Sequence, residues 1–214
     1  MIVSIHQPAY LPWNGLLDRI RRSDLFIVLD HVAFDRSDFV HRQRVKGRNG
    51  GLFWLTIPFQ HRNTVGIPLP EVQIDEYWRI LSRKHRKSLS SIFGELLSGF
   101  YPEYSGTETS LLEVCTRGLL KVLEFSRIET PIAYSSKLLE NFPYSPKGSR
   151  LVQELCHLVK ADRYLSGPLG MDYLDQCSFH QAGLKVDFHE TRSFVPYFDP
   201  RLLPPVGFGK RAEA

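Results

Sequence analysis

The first residues of the chain alternate between apolar runs and polar or turn-forming segments. Residues 1–5 form a run rich in β-branched side chains, which predicts a buried strand. Pro8 and Pro12 each lack a backbone donor, so the segment that follows can continue neither a strand ladder nor a helix. Residues 15–22 then carry apolar side chains at helical spacing, and residues 25–30 form a second apolar run that ends in an acid. Strand, loop, helix and strand in this order predict a βαβ unit with a right-handed crossover.

Later segments repeat the alternation of strand and helix patterns. A turn signal at 48–51 predicts a hairpin tip that leads into a strand over 52–59. The remaining predicted elements are, in chain order, a helix beginning at Asp75, a helix over 89–97, a helix over 108–125, a strand over 130–136, a helix over 150–160, a strand over 163–166, a helix over 171–182 and a strand over 184–189. This alternation predicts an α/β fold with a mostly parallel, Rossmann-like sheet flanked by helices. We expect one domain over 1–197 with a helical insertion at about 75–125, followed by a C-terminal tail over 198–214.

Composition and charge limit the classes of partner and the cellular compartment that we expect for the protein. Hydrophobic residues make up 43% of the 214 residues, enough for a substantial core without disulfides or metal. The net charge of +4 does not require a nucleic-acid partner; it suits a small anionic substrate, although a mixed surface explains it as well. Cys115, Cys156 and Cys177 form no CxxC motif, so we expect core thiols in a reducing cytoplasm. The sequence has no signal-peptide pattern and no apolar run long enough to span a membrane, which predicts a cytoplasmic protein.

Polar side chains follow the first two predicted strands. His6 and Gln7 leave the first strand, and Asp30 and His31 leave the second. Because ligands of open α/β sheets bind beyond the carboxyl ends of the strands, these four side chains are expected to converge on one cleft. We predict that His6, Gln7 and Asp30 are catalytic and that His31 binds the substrate. There His6 could act as a general acid or base or donate to a phosphate, or it could simply hold the loop. Asp30 could orient His6, bind a metal or cap the next segment.

Three cations alternate along the segment that precedes the hairpin tip. Arg42, Arg44 and Lys46 would share one face of a strand, where they repel one another unless an anion or acids lie opposite. A phosphate or carboxylate substrate explains them, and so do salt bridges to Asp35 and Asp38.

Two further patterns carry weaker signals. Residues 166–170, which include Ser166 and Gly167, can expose backbone N–H groups ahead of a helix, which would suit an anion, or they can form a plain turn. The spacing of the histidines and of Asp30 fits no standard zinc pattern, so we predict no metal site. No Walker loop, GxGxxG, HExxH or Ser/His/Asp order occurs.

Several motifs together resemble the WbqC family. They are His6-Gln7-Pro8-x-Tyr10-Leu11-Pro12-Trp13-x-Gly15, Asp24-x-Phe26-x-x-x-Asp30, Arg42-x-Arg44-x-Lys46, Trp54-Leu55-Thr56-x-Pro58, Arg150-Leu151-x-x-x-Leu155-Cys156 and Tyr164-Leu165-Ser166-Gly167-Pro168-x-Gly170-x-Asp172-Tyr173-Leu174. The resemblance covers roughly residues 1–195 and implies a setting in bacterial surface polysaccharide (O-antigen, lipopolysaccharide) or related glycoconjugate biosynthesis. It also makes Tyr10, Trp13, Asp172 and Tyr173 candidate substrate-binding residues.

The sequence departs from this family's pattern in two places. His31 stands where the family usually has a second acid after Asp30, which puts a paired-carboxylate role in doubt. After the Phe-x-Pro-Tyr motif at 194–197, three prolines replace the residues of an expected helix, so the tail from 198 is expected to be rebuilt or frayed.

Two functions follow from these observations. The first is a transferase or an adenylate-forming ligase that acts on a nucleotide-linked, phosphorylated or acyl-activated substrate. A strand, a His-containing loop and a helix are loosely similar to nucleotidylyl transferases, where a histidine stabilises phosphate charge. This implies a nucleotide or nucleotide-sugar as the bound cofactor. The second is a non-catalytic scaffold of a polysaccharide assembly complex that binds through the basic residues between 79 and 87. A homo-oligomer is compatible with both functions.

Overall fold

The computed structural model describes residues 1–36, 38–60, 66–189 and 197–203. Its strands are β1 (Ile2–His6), β2 (Leu25–Val28), β3 (Arg42–Lys46), β4 (Leu52–Thr56), β5 (Ile132–Tyr134), β6 (Arg163–Ser166) and β7 (Lys185–Phe188). Its α-helices are α1 (Asn14–Arg21), α2 (Trp78–Phe93), α3 (Leu97–Phe100), α4 (Leu111–Phe125), α5 (Ser135–Leu138), α6 (Gly148–Leu158) and α7 (Gln176–Gln181). Short 3-10 turns cover Leu69–Glu71, Gly94–Leu96, Pro168–Asp172 and Pro200–Leu202.

Five strands form a parallel sheet in the order β5-β2-β1-β6-β7, while β3 and β4 form a separate antiparallel hairpin. His6 lies opposite Val28 of β2, and Val3 lies opposite Tyr164 of β6. The chain therefore moves outward from β1 to β2 and β5, and then returns past β1 to β6 and β7. This is the order of a doubly wound sheet, whose topological switch point lies between β1 and β6. The prediction of an α/β fold with a parallel sheet is confirmed.

Apolar clusters cover both faces of the sheet. Phe26 and Val28 belong to a cluster that also contains buried residues of α1, α2 and α4. Val3, Ile5 and Ile27 point the other way, into a cluster with residues of α6 and α7. Because β1 and β2 are covered on both faces, their sequences are mostly apolar on both sides, and Ser4 of β1 is buried with them.

The helical region expected at about 75–125 contains α2, α3 and α4. The ring of Phe100, at the end of α3, lies 5.1 Å from the ring of Phe198, centroid to centroid. The backbone N–H of Phe198 also donates to the carbonyl of Arg44 in the hairpin at 2.9 Å. Phe198 therefore packs in the core, although we expected a separate tail to begin there. The motif residues 194–196 and the tail over 204–214 lie outside the described part of the chain.

Several element boundaries differ from those that we predicted from periodicity. The helices predicted from Asp75 and over 89–97 are joined in α2 as far as Phe93, and the break comes at Gly94, whose φ is 57°. The helix predicted over 171–182 is divided into the 3-10 turn that ends at Asp172 and α7. The reason is Asp175, whose side chain accepts from the N–H of Ser178 and so begins a new helix. The strand predicted over 130–136 ends at Tyr134, because α5 begins at the next residue.

Candidate functional site

His6 stands at the carboxyl end of β1, one of the two strands that border the switch point. Its ring Nδ1 lies 2.8 Å from the carbonyl oxygen of Gln7. A carbonyl can only accept, so Nδ1 carries the proton and Nε2 keeps a lone pair. Burial lowers the pKa of His6 to about 4, assisted by the charge of Arg19 and opposed by the hydrogen bond to Gln7. The imidazole is therefore neutral at pH 7, with an unprotonated Nε2.

Gln7, the residue after His6, bridges the first strand to the segment that follows β2. Its Nε2 donates to the carbonyl of Ala33 at 3.3 Å. Its Oε1 is buried and has no hydrogen-bond partner within the described residues. A donor on a bound molecule would satisfy this oxygen, since buried polar atoms are rarely left unpaired.

A chain of aromatic contacts leads from His6 to the hairpin. The ring of Trp13 meets His6 edge-on at 5.1 Å, and Phe39 follows Trp13 at 5.7 Å, all measured between centroids. Phe39 in turn lies 5.8 Å from Trp54 of β4, whose side chain is 46% exposed. We call these four residues (His6, Trp13, Phe39 and Trp54) the aromatic ladder. They form a continuous apolar and polarisable surface from the imidazole outward.

Cations lie against the outer end of the aromatic ladder. The guanidinium carbon of Arg42 is 4.8 Å from the ring centre of Trp54, and that of Arg44 is 5.5 Å from it. Lys46 is 5.9 Å from the ring of Tyr197. The alternation predicted for the three cations is present, since Gln43 and Val45 between them are buried.

The acids proposed as alternative partners of these cations lie close by. Burial and the neighbouring Asp35 raise the pKa of Asp38, while the positive charge of Arg42 opposes them. Arg42 therefore faces both a ring and a carboxyl group. The hairpin face combines positive charge with flat apolar rings, which suits an anion joined to a sugar or a base.

The end of β6 forms the other side of the switch point. Ser166 is buried, and its Oγ donates to the carbonyl of Gly167 at 3.1 Å. Asp172 closes the 3-10 turn Pro168–Asp172, and the next residue, Tyr173, is 55% exposed. The turn predicted at 166–170 is present, and it lies beside α1 rather than ahead of a long helix.

Arg19 of α1 reaches the same place and was not among the predicted site residues. Its side chain is only 5% exposed, and a Cβ built at Gly167 would lie 2.6 Å from its Nη1. Burial lowers the pKa of Arg19, while Tyr164 and Tyr173 raise it. The available signal was a cation between Leu17 and Ile20, on the apolar face of α1. The switch point thus combines a neutral histidine with a buried guanidinium.

Asp30 and His31 are directed toward α5 rather than toward His6. Asp30 Oδ1 accepts from Ser135 Oγ at 2.9 Å and from the Ser136 N–H at 2.8 Å, so the carboxylate caps α5. Ser135 Oγ, which donates to Asp30, accepts from His31 Nδ1 at 2.7 Å. Burial acts to raise the pKa of Asp30, but hydrogen bonds from His31, Ser136 and Ser135 outweigh it and hold the pKa well below its usual range. These contacts cap α5, which is distant in sequence, rather than the segment that follows Asp30, and they do not include His6.

Tyr10, expected near the substrate, lies in the core with no exposed surface. Its hydroxyl is 2.9 Å from His85 Nδ1 and 2.7 Å from the hydroxyl of Tyr101. These contacts join the loop after β1 to the helical region, which is a structural role. We therefore leave Tyr10 out of the candidate site.

Metal, thiol and membrane features add little to this site. Within the ranges that the structure describes, no three His, Cys, Asp or Glu side chains are grouped to hold a metal ion. Cys115 and Cys156 are buried, while Cys177 is exposed. No helix in the described ranges has the length and apolar character needed to cross a bilayer. Two surface clefts, beside α4 and beside α6, contain none of the candidate residues.

The fold and the site define an α/β protein with a doubly wound sheet and a histidine beside its switch point. The chain belongs to the WbqC-like protein family, which it matches over residues 7–201. A curated relative, Uncharacterized protein Rv1507c of Mycobacterium tuberculosis (strain ATCC 25618 / H37Rv), is 28% identical over 204 residues, covering 91% of this chain and 84% of the relative. No solved structure matches the chain. The family predicted from the motifs is thereby confirmed.

Proposed function

We propose that this protein is an enzyme, a transferase or a ligase, that acts on a sugar or nucleoside linked to an anionic group. The observation that carries the proposal is the aromatic ladder, which joins a neutral imidazole to a cationic surface. Sugars and bases stack on exposed aromatic rings, and guanidinium groups bind phosphate or carboxylate oxygens. A surface that offers both, next to a basic nitrogen, fits an activated glycosyl or nucleotidyl substrate.

The geometry supports a specific role for His6. Its Nε2 has a lone pair and can take a proton from an attacking hydroxyl or amine. A pKa near 4 makes it a weak base in the unliganded protein, and part of that low value comes from the charge of Arg19. An anionic substrate that compensates this charge would raise the pKa of His6 and strengthen the base. Substrate binding and base activation are therefore coupled.

Other residues of the site would bind the substrate rather than react with it. Arg42, Arg44 and Lys46 would bind the distal anionic group, and Trp13 would stack on a ring of the substrate. The buried Oε1 of Gln7 would accept from a substrate donor. A nucleotide or nucleotide-sugar has all of these features in one molecule.

The biological setting of the proposal comes from the family motifs. We propose that the reaction belongs to the biosynthesis of bacterial surface polysaccharide, O-antigen or a related glycoconjugate, in the cytoplasm. The acceptor would be a hydroxyl or an amine of a sugar. The donor would be a nucleotide-linked, phosphorylated or acyl-activated group.

A ligand panel with a matched variant tests the proposal. The purified protein is screened by thermal shift against nucleoside diphosphate sugars, nucleoside triphosphates, sugar phosphates and acyl-coenzyme A, and each stabilising ligand is then assayed for turnover. We expect a stabilising ligand from the panel. His6→Ala is expected to keep the melting temperature and the ligand shift but to lose turnover. The proposal fails if no compound in the panel stabilises the protein, or if His6→Ala turns over at the wild-type rate.

A scaffold function is the second candidate, and α2 provides the observation for it. Arg79, Arg83 and Lys87 are exposed on this helix, and Ile80 beside them is 45% exposed. Such a surface suits an acidic partner protein. Alanine at the three cations would then abolish complex formation while His6→Ala would be silent, which is the opposite of the result expected for the enzyme.

A further inference from the structure

The geometry points to Arg19 as a buried anion-binding residue that takes the phosphate or diphosphate group of the substrate at the switch point of the sheet. The inference deepens the proposed function, because it assigns the position of the reacting anionic group. It does not need turnover to be tested. It rests on the two buried, unpaired nitrogens of the Arg19 guanidinium, on the position of Gly167 and on the uncharged polar groups nearby.

The guanidinium of Arg19 has an unused bidentate edge. Its Nε and Nη2 are buried and have no hydrogen-bond partner among the residues that the structure describes. These two N–H groups point the same way and form the side of the guanidinium that binds two oxygens of one anion. A buried charge that lacks a partner destabilises a fold, so an arginine held this way indicates a partner supplied from outside.

The described side chains that act electrostatically on Arg19 are polar and uncharged. The groups that act on its pKa are the hydroxyls of Tyr164 and Tyr173, and the neutral imidazole of His6 is close enough to be affected by its charge. The neighbouring carboxylate on α1, Asp18, is engaged elsewhere: its Oδ2 lies 2.9 Å from Arg22 Nε and 2.7 Å from His189 Nε2. The positive charge is therefore left for a ligand to compensate.

Gly167 is a second observation that concerns the position of the Arg19 guanidinium. Its backbone is extended, with φ −72° and ψ 165°, a conformation that any residue adopts. Glycine is therefore not required there by the backbone. Space favours it, because a Cβ would lie 2.6 Å from Nη1 of Arg19 and would displace the guanidinium. The end of β6 is thus shaped to admit this side chain.

The position suits a phosphate group. In doubly wound sheets, ligands bind in the crevice between the strands where the order reverses, here beyond β1 and β6. Of the two tyrosines that act on Arg19, Tyr164 is buried, whereas Tyr173 is 55% exposed. A phosphate held there would lie near His6, whose pKa responds to the same charge.

Pyrophosphate is the probe for the first experiment. Its binding is measured by isothermal calorimetry and thermal shift on the wild type, Arg19→Met, Arg19→Lys and the control Arg83→Met, which removes one exposed cation from α2. We expect Arg19→Met to lower the affinity at least about tenfold, because a charge-assisted bidentate contact is lost. Arg19→Lys keeps the charge but loses the bidentate guanidinium, so its affinity for pyrophosphate should lie between those of the wild type and of Arg19→Met. Arg83→Met should bind as the wild type does.

The unliganded proteins give a second readout. Because the charge of Arg19 is unpaired, unliganded Arg19→Met is expected to melt at the wild-type temperature or above it. Gly167→Ala keeps every charge but displaces the guanidinium, and it should weaken pyrophosphate binding in a folded protein. The inference is overturned if Arg19→Met and Gly167→Ala bind pyrophosphate within twofold of the wild type, about 0.4 kcal/mol.

The two proposals fail in different ways. If pyrophosphate binding depends on Arg19 but no compound in the substrate panel turns over, the anion site is established and the enzyme is not. If turnover depends on His6 while Arg19→Met binds pyrophosphate normally, the enzyme is established and this inference is not.

Discussion

The ring of Trp13 stands edge-on to the ring of His6, with centroids 5.1 Å apart and planes at 79°. Trp13 therefore covers one side of the imidazole and contributes to the burial that lowers its pKa to about 4. Both residues belong to the rigid stretch around Pro8 and Pro12, so the contact is fixed by the loop itself.

Trp13→Ala is expected to raise the pKa of His6 from about 4 toward 6.5, because water then reaches the ring. NMR titration of the His6 ring protons measures this directly. Trp54→Ala serves as the control, since Trp54 belongs to the same aromatic ladder but contacts Phe39 rather than His6. Equal pKa values for His6 in the two variants would contradict the assignment of Trp13 as its cover.

Tyr10→Phe is expected to lower the free energy of unfolding by about 1–3 kcal/mol, because it leaves buried partners without a hydrogen bond. The partners are His85 Nδ1 and the hydroxyl of Tyr101. Urea unfolding measures the loss. Pyrophosphate affinity should not change, and a selective loss of affinity with full stability would instead place Tyr10 at the substrate.

Asp30→Asn is expected to lower the free energy of unfolding by about 0.5–2 kcal/mol, the usual range for loss of a helix cap. The amide has one acceptor oxygen, whereas both carboxylate oxygens accept, from Ser135 and Ser136. Ser136→Ala, which removes one of these donors, should cost less. Pyrophosphate binding is measured alongside: if Asp30→Asn kept its stability but lost binding, the predicted catalytic role would return.

Local pattern was sufficient to predict the core of the fold. β1 and β2 are mostly apolar on both sides because both faces are covered, and the short helical stretch between them leaves only a parallel crossover. The position of His6 and Gln7 at the carboxyl end of the sheet follows from the same reasoning. The alternation of Arg42, Arg44 and Lys46 was likewise readable, because strand geometry puts every second residue on one face.

The remainder of the site depends on contacts between distant segments. Arg19 meets Gly167 only because β6 pairs with β1, and no local pattern contains that pairing. Asp30 turns to α5 because β5 pairs with β2, which brings Ser135 beside it. Tyr10 shows a different limit of sequence-based prediction. The family motif identifies the residue, but the packing of the helical region decides the direction in which its ring points.

Three histidines are held neutral within the fold, which gives a prediction for the pH dependence of stability. Burial lowers the pKa of His6, of His41 and of His85 to about 4 each, from an ordinary value of 6.5. His41 lies between the rings of Phe34 and Phe59, where a charge would be poorly solvated.

As the pH falls below 6.5, the unfolded chain binds protons on these histidines before the folded protein does. The contribution of these histidines to the free energy of unfolding is therefore expected to be constant above that pH and to fall progressively from pH 6.5 to about 4. Urea unfolding at a series of pH values measures the slope. His41→Leu should make it shallower, whereas the control His157→Gln, which replaces an exposed histidine, should not. Stability that stays level across this window would mean that the three imidazoles are not held neutral, and the account of His6 as a neutral base would then lose its foundation.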